Sequence, residues 1–269
     1  MTATLSEFHY GLVTPVAAYV MACIGSILAL RCTTRSLRRA GGERRWGWLA
    51  LGAISLGCGI WTMHFIAMIG FTVDGQLMHY DVGQTMFSLL VAVVVVSVGL
   101  FLVGYRGTGV VTLAIAGTVT GLGVAAMHYM GMGALQVGGG LRYDTGIVAL
   151  SIVIAVVAAT AALWAAVSIS AVWATLGASL VMGAAVSVMH YTGMSAVSVH
   201  ATHGTLTGQS SAGLLSFMLA MLAGPLILLL IAGVIVMFDP EVVMGRSEWE
   251  KAQVPSAEPA REVGAFDWK

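Results

Sequence analysis

Charge is scarce in this sequence, and the scarcity argues against a soluble domain. Charged residues make up 9% of the 269-residue chain, whereas soluble domains carry about 25%. Residues 145–238 contain no Asp, Glu, Lys or Arg. A membrane-spanning helix needs roughly 20 apolar residues, so this stretch alone can hold three spans. The chain is therefore predicted to be a polytopic membrane protein that lies in the lipid bilayer.

Lysine and cysteine are also rare. The two lysines, Lys251 and Lys269, lie in the C-terminal tail, so no retinal Schiff base can form inside the membrane. The three cysteines form no Cys-x-x-Cys pair, so neither a disulfide framework nor a structural zinc site is predicted. The sequence also lacks Gly-x-Ser-x-Gly, His-Glu-x-x-His and a glycine-rich phosphate loop. We expect no enzymatic activity and no nucleic acid partner.

The apolar runs predict an all-α membrane protein with seven transmembrane helices. The predicted spans are residues 11–30, 46–70, 82–105, 109–135, 146–167, 172–197 and 213–238. Arginine and lysine accumulate in cytoplasmic loops, and residues 31–45 hold six arginines. With that loop inside, the N-terminus lies outside, the C-terminus is cytoplasmic, and eleven of the twelve basic residues are cytoplasmic. The expected location is the cell membrane.

One motif occurs three times, near the outer ends of alternate spans. The copies run Gly57-Cys-Gly-Ile-Trp-Thr-Met63-His64-Phe65-Ile-Ala-Met68, Gly121-Leu-Gly-Val-Ala-Ala-Met127-His128-Tyr129-Met-Gly-Met132 and Gly183-Ala-Ala-Val-Ser-Val-Met189-His190-Tyr191-Thr-Gly-Met194. Their histidines are 64 and 62 residues apart, so each repeat is a two-helix hairpin. Two helices per repeat give all copies the same orientation. We therefore predict three parallel repeats followed by one additional C-terminal helix.

Helical geometry gives the motif a single functional face. At about 100° per residue, the methionine four residues after each histidine lies about 40° away and one turn further out. The glycine seven residues before it lies on the same line and lets a neighbouring helix approach closely. Three His-Met pairs are thus expected at one depth, facing the interior. A packing role for these side chains stays open, but intramembrane ionisable residues are functional candidates.

Imidazole and thioether ligands together suit copper, especially Cu(I). The predicted metal ligands are His64, Met68, His128, Met132, His190 and Met194. The adjacent Met63, Met127 and Met189 are candidate additional ligands. Asp81 and Asp144 follow the first two motifs in a repeated Tyr-Asp-x-Gly pattern. They could accept hydrogen bonds from the imidazoles or cap the next helix.

Met127-His128-Tyr129 and Met189-His190-Tyr191-Thr192 resemble the signature of the MHYT domain, a family of bacterial integral-membrane sensors. Phe65 replaces tyrosine in the first copy, and Met130 replaces threonine in the second. The resemblance covers residues 8–200, with 213–238 as a seventh helix and 239–269 as a disordered cytoplasmic tail. It implies copper held by the motif histidines and methionines, and sensing of oxygen, carbon monoxide or nitric oxide.

Many members of that family continue into cyclic di-GMP enzymes or histidine kinases, and this chain is expected to be a stand-alone member without such an output domain. The leading interpretation is a copper-dependent sensor of a diatomic gas or redox state. It would signal through a separate protein or a homo-oligomer. A Cu(I) transporter or carrier and a haem-binding membrane protein are the alternatives.

Overall fold

The structure is a computed structural model that describes residues 5–6, 10–38, 45–73, 78–137, 140–199 and 211–239. Within these ranges, seven helices are long and apolar enough to cross a membrane, as predicted. They are α1 (Val13–Arg38), α2 (Arg45–Ile69), α3 (Val82–Arg106), α4 (Val110–Gly133), α5 (Thr145–Ser168), α6 (Val172–Ser195) and α7 (Ser211–Met237). The chain is therefore a multi-pass membrane protein. The tail from residue 240 lies outside the described residues.

Each of the three hairpins is closed by a short antiparallel strand pair, which the sequence did not predict. The strands are β1 (Leu5–Ser6), β2 (Thr72–Val73), β3 (His79–Tyr80), β4 (Leu135–Gln136), β5 (Leu141–Tyr143) and β6 (Val197–Val199). They pair as β1 with β2, β3 with β4, and β5 with β6. One strand precedes the first helix of a hairpin and its partner follows the second helix. The repeat unit is thus strand-helix-helix-strand, three times over.

Helices α1 to α6 form a closed ring, because each packs on its neighbours in sequence and α6 packs on α1. The glycines that open the three motifs make this close packing possible. A Cβ atom on Gly57 would lie 2.8 Å from Val93 Cα in α3, and one on Gly121 would lie 2.4 Å from Val156 Cα in α5. A Cβ on Gly183 would lie 2.5 Å from Cys23 Sγ in α1. The predicted role of these glycines in helix approach is confirmed.

Two compact units divide the chain, Met1–Gly233 and Val234–Lys269. The first contains the ring and most of α7, whose Met218 and Leu222 belong to the same buried apolar cluster as the ring residues. Helix α7 lies outside the three repeats, as predicted. The second unit is described only for the end of α7 and the two residues after it.

Several hydroxyl side chains inside the spans are satisfied locally, which suits a bilayer interior without water. Ser26 donates to Ala22 O at 2.8 Å, Ser97 to Val93 O at 2.7 Å, and Thr160 to Val156 O at 2.7 Å. Each of these hydroxyls uses the carbonyl one turn earlier on its own helix. These three hydroxyls therefore add no unpaired polar group to the ring.

The largest departure from the predicted spans is at the end of α1, which continues to Arg38 instead of stopping at residue 30. Arg35 explains part of the extension. Its side chain is buried, and its guanidinium lies 5.9 Å from the centre of the Trp48 ring in α2. A cation over an indole face is a favourable contact. The arginine cluster that the sequence assigns to the first loop therefore begins within α1.

The orientation of the ring in the membrane stays a prediction, based on the asymmetry of basic residues. We expect a reporter fused after Phe238 to be active only in the cytoplasm. We expect an epitope tag within residues 199–211 to be accessible from outside the cell, because six spans precede it. A C-terminal reporter that is active outside the cytoplasm would contradict the orientation or the number of spans.

Candidate metal centre

The three motif histidines meet at one point inside the ring. His64 Nδ1 lies 3.0 Å from His190 Nδ1 and 3.2 Å from His128 Nδ1, and the last two atoms are 3.3 Å apart. The rings stand nearly perpendicular to one another, with interplanar angles of 81°, 81° and 89°. All three side chains are buried. The predicted inward orientation is confirmed, and the imidazoles form one cluster rather than several.

The protonation chemistry of this cluster is unfavourable without a cation. A neutral imidazole has one N–H and one nitrogen lone pair. A protonated Nδ1 cannot accept, so three converging Nδ1 atoms cannot all be satisfied by one another. If the protons are on Nε2 instead, the three Nδ1 lone pairs point at one another and repel, and a cation bound between them would remove that repulsion. Lone pairs aimed at one point are the arrangement expected of metal ligands.

The spacing of the nitrogens also fits a metal. Nitrogens bound about 2 Å from one ion at tetrahedral angles lie about 3.3 Å from each other. The observed separations of 3.0, 3.2 and 3.3 Å are close to this value. Within the described ranges, His64, His128 and His190 are the one group of His, Cys, Asp and Glu side chains placed to share an ion. Three ligands would leave a fourth position open.

The motif methionines are buried in the same part of the ring. Met68, Met132 and Met194, one turn beyond the histidines, are 3%, 0% and 3% exposed. Met63, Met127 and Met189, which precede the histidines, are also buried. Burial agrees with a role as ligands and equally with a role in packing. Ligation by any of the six sulfurs stays a prediction.

The two motif-associated aspartates cap helices. Asp81 Oδ1 accepts from Gln84 N at 2.7 Å at the start of α3. Asp144 Oδ1 accepts from Gly146 N at 2.9 Å and Ile147 N at 3.0 Å at the start of α5. The capping interpretation is therefore confirmed for both. Support of the imidazoles by these carboxylates stays a prediction.

A second set of glycines, absent from the predicted site residues, makes room for the imidazoles. A Cβ atom on Gly131 would lie 2.5 Å from His64 Nε2, and one on Gly193 would lie 2.5 Å from His128 Nε2. Both glycines stand three residues after their own motif histidine. Helices α4 and α6 thus each supply one imidazole and the small residue that packs against a neighbouring imidazole. Ala67 takes the corresponding place in the first copy.

Gly131→Ala is expected to reduce metal binding, because its methyl group would collide with the His64 ring and turn Nδ1 away from the cluster. The measurement is metal content and affinity of the purified variant. Gly47→Ala is the control, since nothing lies within 4 Å of a Cβ at that position of α2. Equal metal affinity in Gly131→Ala and the wild type would contradict this account of the glycine.

The first copy replaces the motif tyrosine by Phe65, and the structure explains how it compensates. In the second copy, the Tyr129 hydroxyl lies 2.6 Å from Ser151 Oγ in α5. The corresponding serine of α3 is Ser88, and Trp61 Nε1 donates to it at 3.0 Å. Trp61 therefore makes the contact to the next hairpin that Phe65 cannot make. The Trp61 and Phe65 rings also pack against each other, with centroids 4.5 Å apart.

The ring of Tyr80 in β3 packs against the ring of Phe65, with ring centroids 6.1 Å apart. Tyr80 is buried. Burial raises the pKa of its hydroxyl above the usual value for tyrosine, because desolvation disfavours the phenolate. The phenol therefore stays neutral and adds no charge near the cluster.

Comparison with known proteins agrees with the repeat. The MHYT family model, described as "Bacterial signalling protein N terminal repeat", matches residues 57–116 and 121–179. These matches begin at Gly57 and Gly121, which open the first two motif copies. No solved structure matches the chain.

Similar curated proteins are signalling proteins that are much longer than the aligned region. The chain is 40% identical over 192 residues to the bifunctional diguanylate cyclase/cyclic di-GMP phosphodiesterase MucR of Pseudomonas aeruginosa. The aligned region covers 70% of this chain and 28% of the relative. It is 35% identical over 194 residues to the cyclic di-GMP phosphodiesterase NbdA of the same species, covering 70% and 24%. The signaling protein YkoW of Bacillus subtilis is 29% identical over 188 residues, covering 67% and 23%.

Proposed function

This chain belongs to the MHYT family of bacterial membrane signalling domains, and from that premise we propose that it is a copper-binding sensor of a diatomic gas. The observation that carries the proposal is the convergence of three buried histidine Nδ1 atoms within 3.3 Å of each other. A sensor domain needs a site that responds to a small ligand. A metal with an open position provides one.

Copper(I) is the ion that best suits the environment. The ligand groups in the cluster are neutral, and the cost of burying an ion rises steeply with its charge. A monovalent ion therefore loses less hydration energy here than a divalent one. The buried methionines one turn away offer thioether sulfur, which prefers the softer Cu(I). Zinc also accepts three imidazoles and is the main competitor.

The side chains around the cluster suit the sensing of an uncharged ligand. Imidazoles from α2, α4 and α6 would hold the ion, while Phe65, Tyr129 and Tyr191 lie beside the three rings at centroid distances of 4.7, 4.8 and 5.0 Å. These aromatic contacts keep the rings in place and exclude water. Bound Cu(I) would supply an open position for oxygen, carbon monoxide or nitric oxide.

The signal from the membrane domain must be received by another protein or domain. Two of the relatives are named as cyclic di-GMP enzymes. We infer that gas binding alters the packing of α2, α4 and α6 and that a cyclic di-GMP enzyme, or another signalling protein, receives the change. A homo-oligomer of this chain is the alternative receiver.

Haem fits the site poorly. A porphyrin lies between its axial ligands, whereas the three nitrogens are separated by no more than 3.3 Å. The macrocycle could enter only if two of the three motif helices moved apart. This geometry favours a bare ion over a cofactor.

Elemental analysis and absorption spectroscopy of the purified full chain test the proposal. We expect copper without a Soret band and, under carbon monoxide, an infrared band from metal-bound CO. Preparations that hold no metal, or that hold zinc and give no CO adduct, would overturn it. Copper that passes across vesicle membranes under a gradient would favour the carrier function instead.

A further inference from the structure

A cavity of about 50 Å³ lies inside the helix ring, next to the histidine cluster. Its walls come from all six ring helices. The motif helices contribute two layers of three residues, one and two turns before the histidines. These are Ile60, Val124 and Val186 in the nearer layer and Leu56, Thr120 and Met182 in the further one. At 1.5 Å per residue, the layers lie about 6 and 12 Å along the helices from the imidazoles.

The lining is apolar except for one hydroxyl. That hydroxyl, on Thr120, donates to Val95 O at 3.4 Å and so is already engaged. A water molecule needs two to four polar partners, whereas apolar cavities stay dry and accept apolar molecules such as xenon. The cavity is larger than the roughly 15 Å³ that one water-sized molecule requires. It therefore suits a small uncharged ligand and not an ion.

Comparison of the repeats shows which residues create the cavity. Aligning the capping residues Asp81 and Asp144 pairs each residue of α3 with the residue 63 positions later in α5. By this alignment, Val96 corresponds to Ala159, and Val103 corresponds to Ala166. Both alanines line the cavity. The fifth helix thus carries alanine where the third carries valine, and space remains on that side of the ring.

An unfilled space forfeits the contacts that packed atoms would make, and this one is lined by residues one and two turns before the three histidines. We propose that the cavity binds a diatomic gas and supplies it to the histidine cluster from the membrane interior. This inference rests on the proposed function for the destination of the gas. The presence of a gas-binding cavity is independent of any metal.

Xenon is the probe for the cavity, because it is apolar, uncharged and does not require a metal. The experiment measures ¹²⁹Xe NMR exchange with the metal-free full chain in nanodiscs, against nanodiscs without protein. We expect a protein-dependent xenon site in the wild type. In Ala159→Val, binding should weaken by about tenfold or more, because two added methyl groups occupy a cavity of this size.

The variants are chosen so that folding does not decide the result. Ala159→Val and Ala166→Val each introduce the residue that the matching position of α3 already carries. Ala161→Val is the matched control: Ala161 is exposed and does not line the cavity, and its counterpart Val98 is exposed as well. Ala161→Val should keep the wild-type xenon signal. No xenon site in the wild type, or equal binding in Ala159→Val and Ala161→Val, would overturn the inference.

A second experiment distinguishes failure of this inference from failure of the proposed function. In copper-loaded protein, recombination of carbon monoxide after flash photolysis should be several-fold slower in Ala159→Val than in Ala161→Val. A xenon site in a chain that takes up no copper when copper is supplied would refute the proposed function and leave the cavity as a gas site. Carbon monoxide recombination at equal rates in both variants would refute the cavity as the route to the histidines while leaving the metal centre intact.

Discussion

Replacing His64, His128 and His190 together by leucine is expected to abolish metal binding while the protein still inserts into the membrane. The Nδ1 atoms are the converging donors of the site, and leucine offers none. Insertion should not suffer, because leucine enters lipid more readily than histidine. Metal content per chain should fall from about one ion, the number that one set of three imidazoles can hold, to none.

Single variants sharpen this test. His128→Leu leaves two imidazoles, so metal affinity should fall by more than about 100-fold, because loss of a residue that only supports a metal ligand already costs about 10–100-fold. His79→Leu is the control, since His79 is an exposed residue of β3. Each variant is checked for membrane insertion and helix content. Metal content of the triple variant that equals that of the wild type would refute the histidine cluster as the binding site.

Leucine variants at Met68, Met132 and Met194 test whether the thioether sulfurs bind the ion. If the thioethers bind the ion, leucine at these positions should weaken Cu(I) more than Cu(II). Equal loss of both oxidation states would assign the methionines to packing. This comparison decides a point that burial alone leaves open.

Gly121→Ala is expected to have the largest effect on stability. The added methyl would lie 2.4 Å from Val156 Cα and 2.7 Å from Val156 N, so it would strike backbone rather than a movable side chain. Helices α4 and α5 would have to separate. Overpacking of this kind costs about 1–3 kcal/mol or more. Thermal unfolding of the detergent-solubilised protein, followed by circular dichroism, would measure the loss.

Gly177→Ala in α6 is the control for that experiment. Nothing lies within 4 Å of a Cβ at Gly177, and alanine is the better helix former, so the variant should be as stable as the wild type or slightly more stable. A Gly121→Ala protein with wild-type stability would mean that α4 and α5 do not approach as closely as described. It would also weaken the case for the closed ring.

Much of the fold was predictable because it depends on composition and on repetition. The bilayer requires long apolar helices, and those between α2 and α7 lie close to their predicted spans. The repeated motif predicted three hairpins in one orientation, with His64, His128 and His190 facing inward at one depth. The continuation of α1 to Arg38 was missed, because hydropathy cannot anticipate a buried arginine stacked on Trp48.

The details of the site were not predictable from spacing. Sequence places His and Met on one face of a helix, but it does not give the side-chain torsion that turns Nδ1 rather than Nε2 towards the centre. The roles of Gly131 and Gly193 depend on which imidazole faces which helix. Their recurrence three residues after a histidine was the available signal. The Trp61–Ser88 contact could not be predicted either, because the sequence does not show which helix packs against α2 at Trp61.

The closed ring, with α6 against α1, has the form of a cyclic homotrimer whose subunits have been joined into one chain. Because the three copies lie in one chain, each copy can acquire its own substitutions. Phe65 with Trp61 replaces the tyrosine of the other copies, and Ala67 replaces glycine. The three imidazoles therefore stand in unequal surroundings around a common axis, so a ligand at the centre can pull on one helix more than on the others. In a symmetric assembly of identical hairpins, by contrast, the three helices would start from equivalent surroundings.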